Sequence, residues 1–185
     1  MKQIWDPIDS MMNETPFNVY QHKNMKTLLA EAQQKLGTVP RLVLDYDIFQ
    51  VYKTQLTNVK KFNDILSELR GEAVKKQHWG QLLSVLKSPY RTDNMSQMTV
   101  WHFWELDLLA LKSKVQGILD RARGQYQLEE QLSKSKELWG EMVLDLAKYK
   151  SKCKLIRGWD DLRMALDDDI KMLASMRMSQ FFKDF

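Results

Sequence analysis

Apolar residues recur at three- and four-residue steps along most of this chain, which is the spacing of one face of an α-helix. Only seven glycines and four prolines interrupt its 185 residues, which favours long helices. Gly37 is placed to form a left-handed C-terminal cap, Pro40 to begin the next helix and Asp45 to break it. We predict an all-α protein, an elongated bundle of stacked antiparallel helices. The predicted helices cover residues 4–12, 21–36, 40–70, 78–87, 109–142 and 160–176.

One segment departs from the helical period. Residues 143–156 alternate between apolar and polar, with a plausible turn at residues 151–152, so we expect one small β-hairpin there. Gly158 then breaks the pattern, and Asp160 or Asp161 can cap the helix that follows.

The chain divides most naturally at residues 88–94, Ser-Pro-Tyr-Arg-Thr-Asp-Asn, because turn-forming residues dominate this stretch. It separates an N-terminal helical part, 1–88, from a second helical part, 95–185, that contains the hairpin. Residues 96–107 are aromatic and are predicted to be irregular. Gly124 is expected to kink or interrupt the long helix over 109–142.

Composition is that of a folded soluble protein, with 44% hydrophobic and 28% charged residues. The net charge of +4 arises from 28 basic and 24 acidic residues, so we expect a mixed solvated surface and no nucleic-acid binding. There is no apolar run long enough to span a membrane, and the N-terminus lacks the apolar core of a signal peptide. Cys153 is the only cysteine, which excludes an internal disulfide and suits a reducing compartment.

Motifs for nucleotide or metal chemistry are missing from the sequence. A phosphate-binding P-loop needs two glycines separated by four residues, and none of the seven glycines has that spacing. His22, His78 and His102 have no second His or Cys three or four residues away. We therefore predict no catalytic, cofactor-binding or metal-binding residue. His78, beside Trp79, is expected to cap its helix or to make a packing hydrogen bond.

Two other groups are interpreted as structural. Asp167, Asp168 and Asp169 are consecutive, and neighbouring helical side chains point about 100° apart, so these carboxylates predict a solvated face instead of an ion site. Cys153 lies between two lysines, yet a cysteine in a strand is more often a small core residue than a nucleophile.

The predicted hairpin carries lysine at every second position. In an extended chain such residues point to one face, and four of them would lie within about 20 Å at roughly 3.3 Å per residue. This face could dock an acidic surface of a partner. Alternatively, the lysines protect exposed strand edges from unwanted pairing. The four residues of this candidate docking face are Lys148, Lys150, Lys152 and Lys154.

Aromatic residues are numerous, with six tryptophans and seven phenylalanines. Tryptophan buries a large area and offers one donor, so it suits the joints between stacked helices. Phe181, Phe182 and Phe185 close the sequence without a polar cap, from which we expect it to continue in a longer polypeptide. The tryptophans expected at helix joints are Trp79, Trp101, Trp104, Trp139 and Trp159.

Two stretches carry a family resemblance. Residues 69–79 read Leu-Arg-Gly-Glu-Ala-Val-Lys-Lys-Gln-His-Trp, which is similar to a pattern Leu-x-Ser-x-Ala-Leu-x-x-Arg-His-Trp, with Gly71, Val74 and Gln77 replacing Ser, Leu and Arg. Residues 148–162 end in Leu-Ile-Arg-Gly-Trp-Asp-Asp-Leu and lead into a helix. In order and spacing, the chain resembles the linker of a dynein heavy chain of the cytoplasmic type.

The resemblance implies a mechanical role. In that family the linker lies across a ring of AAA+ ATPase modules, bends as nucleotide changes, and so drives movement along a microtubule. It implies a non-catalytic, cytoplasmic, cytoskeleton-associated segment without cofactor, nucleic acid or membrane. Its partner would be the AAA+ ring of the same heavy chain, with other dynein subunits also possible, and residues 88–94 are the expected hinge. The alternative is an autonomous helical scaffold or interaction module that binds a protein partner.

Overall fold

A computed structural model describes residues 2–150 and 152–182, and helices dominate it. A short 3₁₀ helix, Thr92–Gln97, precedes α6, and β1 and β2 form an antiparallel hairpin. The prediction of an all-α fold with one β-hairpin is confirmed; Ser151, in the predicted turn, lies outside the described residues. The elements are α1 (Lys2–Glu14), α2 (His22–Gly37), α3 (Arg41–Leu44), α4 (Asp47–Leu69), α5 (Lys76–Val85), α6 (Val100–Glu105), α7 (Lys112–Glu141), β1 (Leu146–Tyr149), β2 (Cys153–Ile156) and α8 (Trp159–Met178).

The chain forms two compact units, Met1–Asp120 and Arg121–Phe185, hereafter unit 1 and unit 2. Helix α7 contributes residues to both. The division into linker parts 1–88 and 95–185 remains a prediction about function.

Unit 1 is built around α2 and α4. The buried side of α2 follows the helical period, with Met25, Leu29, Ala32 and Leu36 at steps of three and four. This side packs on α4, while α1 packs on both α2 and α6. The amphipathic stripes read from the sequence therefore meet one another in a single core.

An interlock between distant segments completes this core. Pro16 forms an isolated antiparallel bridge with Thr99, and the Phe17 amide donates to the Met98 carbonyl at 2.8 Å. The Phe17 ring lies 4.6 Å from the Phe103 ring, centroid to centroid. Residues 96–107 were expected to be irregular, and this was wrong, because α6 forms there and buries Val100 and Phe103.

Of two local predictions in unit 1, the cap at Gly37 needs correction and the break at Asp45 does not. Gly37 is the last residue of α2 and has no positive φ; Thr38 ends the helix and donates its hydroxyl to the Lys35 carbonyl at 2.8 Å. The break at Asp45 is confirmed, and it turns the start of α4 so that Phe49 is buried while Ile48 is 57% exposed.

Unit 2 consists of the later part of α7, the hairpin and α8. Helix α7 continues through Gly124, so the predicted interruption is wrong. A Cβ built at Gly124 would clash with the Phe181 ring, which shows that the glycine provides the space in which Phe181 packs on α7. Gly158, at φ +66°, supplies the left-handed residue between β2 and α8.

Candidate docking surfaces

The hairpin places the four predicted lysines in two different settings. Lys148 lies directly opposite Lys154 in the ladder, so these side chains share one face. Lys150 and Lys152 lie beyond the paired strands, and Lys150 adopts φ +45°, a conformation that is uncommon outside glycine. These four residues, Lys148, Lys150, Lys152 and Lys154, are called the basic tip below, and their role as a docking face remains a prediction.

The opposite face of the hairpin is apolar and uncovered. Tyr149 pairs with Cys153 and Ala147 with Leu155, which puts these four residues on the face away from Lys148. Tyr149 is 47% and Leu155 50% exposed. Cys153 was expected to be a small core residue, and this was wrong, because its thiol is exposed on this face.

No carboxylate in the described parts of the chain forms an ion pair with the basic tip. The Lys150 ammonium lies 5.1 Å from the centroid of the Tyr149 ring, a cation–π contact. At the base of the hairpin, the Arg157 amide donates to the Asp145 carbonyl at 2.8 Å. The positive charge of the tip is therefore presented to solvent.

Helix α8 begins at the left-handed turn and carries a second exposed apolar surface. Gly158 is its N-cap residue, so the prediction that Asp160 or Asp161 caps the helix is wrong. Both aspartates lie in the first turn, where their negative charge interacts favourably with the helix dipole. Trp159 is 54% exposed, which corrects its expected place in a helix joint. Its ring lines a 500 Å³ groove together with Trp139, Met142, Leu144, Leu162 and Leu166.

A carboxylate joins α7 to α8. The Asp169 carboxylate accepts hydrogen bonds from the Ser135 hydroxyl at 2.6 Å and from the Trp139 indole N–H at 2.7 Å. The prediction that residues 167–169 form only a solvated face is wrong for Asp169. Ser135 and Trp139 are four residues apart on α7, so their donors lie on one side of that helix.

Two histidines cap helices. The Nδ1 atom of His78 accepts the Lys75 backbone N–H at 3.0 Å, and that of His102 accepts the Thr99 backbone N–H at 2.9 Å. Each histidine occupies the third position of its helix, as in a capping box. The expectation for His78 is confirmed.

The predicted tryptophan joints are otherwise present. Trp79 lies 5.3 Å from the Phe17 ring and Trp104 5.1 Å from the Phe62 ring, in both cases edge to face. Trp101 and Trp139 are half-buried, and each donates its indole N–H to a carboxylate. These contacts give the aromatic residues a structural role.

Unit 1 has an apolar groove of its own. It measures 590 Å³ and lies where α2, α3 and α4 meet. Leu36, Val39, Leu44, Phe49 and Leu56 supply its apolar walls, and Lys53 is among its polar lining residues. This composition suits an apolar side chain of a partner better than a charged small molecule.

The described residues lack two features, a cluster of metal ligands and a membrane-spanning helix. Residues 2–150 and 152–182 contain no group of three or more His, Cys, Asp or Glu side chains arranged to hold a metal ion. Within the same residues, no helix combines the length and apolar character that crossing a membrane requires.

The structure is that of a helical protein with one hairpin, which exposes apolar residues on the hairpin and α8 and lysines at the basic tip. The family model for "Dynein heavy chain, N-terminal region 2" matches residues 1–185. The chain belongs to this family, as a part of the N-terminal region of dynein heavy chains.

Similar proteins come from distant eukaryotes. A cytoplasmic dynein heavy chain of Paramecium tetraurelia is 38% identical over 183 residues, which is 99% of this chain. Cytoplasmic dynein heavy chains of Neurospora crassa and Dictyostelium discoideum are each 31% identical over 100% of it. The chain spans about 4% of the length of each of these three relatives.

Proposed function

We propose that this chain is a segment of the mechanical linker of a cytoplasmic dynein heavy chain. In this role it transmits force between the AAA+ ring of the same heavy chain and the cargo-bearing end, and it performs no chemistry itself. The cytoplasm, in association with the cytoskeleton, is the compartment in which such a segment would work.

The observation that carries this proposal is the match of the whole chain to the N-terminal region of dynein heavy chains, with 38% identity to one relative. Its architecture is suited to the role. Helices α4 and α7 contain 23 and 30 residues, or about 35 and 45 Å of continuous helix at 1.5 Å per residue. A lever must resist bending along its length, and hydrogen-bonded helices provide that resistance.

A helix-breaking substitution tests the lever in the heavy chain that carries this segment. Gln127 is exposed within α7, and Gln127→Pro removes a helix hydrogen bond and kinks the helix. We expect microtubule gliding to slow severalfold while ATP hydrolysis by the ring continues. Gln127→Ala, which keeps the helix, is the control and should glide at the normal speed. Equal gliding by both variants would contradict a lever role for α7.

The absence of chemistry in the segment has its own test. Titration of ATP into the isolated 185-residue chain should give no heat of binding, since the sequence lacks a P-loop. A saturable heat signal would contradict the non-catalytic part of the proposal.

The residues 88–94 are the proposed hinge. The Tyr90 amide donates to the Ser88 hydroxyl at 3.1 Å, and Lys87 just before it has φ +50°. Lys76 and Asp93 form an exposed ion pair at 2.7 Å across the end of this stretch. In a Cys153→Ser background, a cleavable thiol-reactive crosslinker joining cysteines introduced at positions 76 and 93 should slow gliding if bending occurs here, and cleavage should restore it.

A further inference from the structure

We propose that the basic tip of the hairpin docks on an acidic surface of a partner protein, one that presents clustered Asp and Glu carboxylates. The inference goes beyond the lever role and does not depend on it. It rests on three observations: the positions of the lysines, the lack of carboxylate partners for them among the described residues, and the exposed apolar face of the hairpin.

The arrangement of the lysines is unfavourable for the isolated hairpin. Lys148 and Lys154 are directly opposite each other, and like charges in that position destabilise an antiparallel pair. Lys150 takes a left-handed backbone conformation that disfavours a residue with a Cβ. A two-stranded hairpin is marginally stable even without these costs. Local folding therefore does not explain the lysines, whereas a bound carboxylate surface would offset their repulsion.

Edge protection explains only half of the tip. Lysines blunt a strand edge when they lie along paired strands that could accept another strand. Lys148 and Lys154 meet this condition, since they belong to β1 and β2. Lys150 and Lys152 lie beyond the ladder, where there is no strand edge to protect. The Lys150 ammonium, over the Tyr149 ring, places a positive charge on the face of the hairpin away from Lys148.

The surroundings of the tip favour a protein partner over a nucleic acid. Tyr149, which lies under the Lys150 ammonium, and Leu155, on the same face as Tyr149, are half-exposed and offer aromatic and aliphatic contact area. The chain as a whole carries only +4, with 24 acidic residues. A net charge this small gives little general attraction for a long polyanion, whereas an acidic protein patch needs only the charges of the tip.

Binding of a labelled Glu-rich peptide to the full 185-residue chain tests the proposal by fluorescence anisotropy. The tip variant K148Q/K150Q/K152Q/K154Q should bind roughly tenfold or more weakly than wild type, because each exposed ion pair contributes a fraction of a kcal/mol. Binding should also weaken as salt rises. The matched control K60Q/K61Q/K112Q/K114Q removes the same charge at exposed helical positions and should change the affinity less than twofold.

Splitting the tip separates docking from edge protection. K150Q/K152Q and K148Q/K154Q should each weaken peptide binding severalfold, and both variants should stay as monomeric as wild type in sedimentation. Association of K148Q/K154Q together with unchanged peptide binding would overturn the proposal in favour of edge protection.

Three further results would overturn the inference. Wild-type chain that fails to bind the peptide at low salt is the first. Equal loss of binding in the tip variant and in the matched control is the second, since it would show a response to net charge alone. Tighter binding of a duplex oligonucleotide than of the peptide, lost in the tip variant, is the third. None of these measurements involves motility, so they leave the lever proposal unaffected.

Discussion

The two units bury their apolar residues to very different extents. Among the described residues, the main hydrophobic cluster runs from Ile8 to Leu119, entirely within unit 1. The buried hydrophobic residues described in unit 2 are Ala122, Leu128 and Met176. On α8, by contrast, Leu166 and Ile170 are 45% and 54% exposed.

This difference shows that amphipathic helices with similar apolar stripes can be covered by a neighbouring helix or left partly exposed. Helices α2 and α4 cover each other's apolar stripes, and unit 1 gains a core that excludes water. Helix α8 carries apolar residues on more than the side that faces α7, so part of its stripe stays in water. Unit 1 thus has a large hydrophobic core, whereas in unit 2 the hydrogen bonds of Asp169 to Ser135 and Trp139 contribute a larger share of the contacts between helices.

The largest effect is expected from a cavity in the core of unit 1. Leu66 has no exposed surface, so Leu66→Ala should lower the free energy of unfolding by about 2–5 kcal/mol. Leu166→Ala makes the same chemical change on half-exposed α8 and should cost less than about 1 kcal/mol. Hydrogen exchange followed by mass spectrometry reads the two units separately. Equal losses would remove the contrast between them.

In unit 2 the substitution expected to lower stability most removes a polar contact, the Asp169 carboxylate. Asp169→Ala removes the acceptor of Ser135 and Trp139 and should destabilise the pairing of α7 with α8 by about 1–3 kcal/mol. Asp168→Ala serves as the control, since its ion pair with Lys171 is exposed and contributes little. Faster amide exchange in α8 for the first variant alone is the expected result. A similar response from both would assign the effect to helix charge.

Glycines of α7 offer a contrast within one helix. Gly124→Ala pushes against the Phe181 ring and should destabilise unit 2 by about 1–3 kcal/mol. Gly117→Ala meets open space and should stabilise the helix by up to about 1 kcal/mol. Thermal unfolding measured by circular dichroism should show opposite shifts of the midpoint. Shifts of the same sign would mean that Phe181 does not pack on Gly124.

The smallest effect concerns a buried hydrogen bond of unit 1. The Tyr20 hydroxyl donates to Asn63 Oδ1 at 2.6 Å, so Tyr20→Phe should cost about 1 kcal/mol near neutral pH. Burial raises the pKa of the Tyr20 phenol well above its usual value of 10.0, in spite of the opposing charge of Arg70.

The pH dependence of this contribution has a definite sign. Above the usual tyrosine pKa the unfolded chain releases the phenol proton while the folded chain keeps it, so the stability from Tyr20 is complete below pH 10 and falls as pH rises further. Tyr20→Phe should therefore lose less stability between pH 9 and 11 than wild type, in urea titrations at each pH. Tyr46→Phe, at an exposed position, is the control and should follow wild type.

The helical content and the hairpin could be predicted because both depend on local periods in the sequence. Errors concentrated where a distant segment decides the outcome. Residues 96–107 become helical in part because α6 packs against α1 and Thr99 bridges to Pro16. Gly124 leaves room beside α7 for the Phe181 ring, which comes from a segment more than fifty residues away. No spacing rule within either segment contains that information.

The basic tip was predictable in composition and less so in shape. Alternating lysines indicated one extended face, but the left-handed Lys150 ends β1 and divides the four lysines between ladder and turn. Asp169 was missed because its partners lie 34 and 30 residues away, on α7. The one sequence feature that pointed to such a contact was the four-residue spacing of two donors, Ser135 and Trp139, on one side of α7.

For this protein, the sequence by itself determined most of the helices, the hairpin and the family to which the chain belongs, because hydrophobic period, turn residues and family motifs are properties of the linear chain. Only the tertiary structure decided which apolar faces are covered. Both Trp79 and Trp159 were predicted to lie at helix joints, yet Trp79 packs against Phe17 and Trp159 is half-exposed. Burial depends on what another segment brings to the same place, and that is a property of the folded chain.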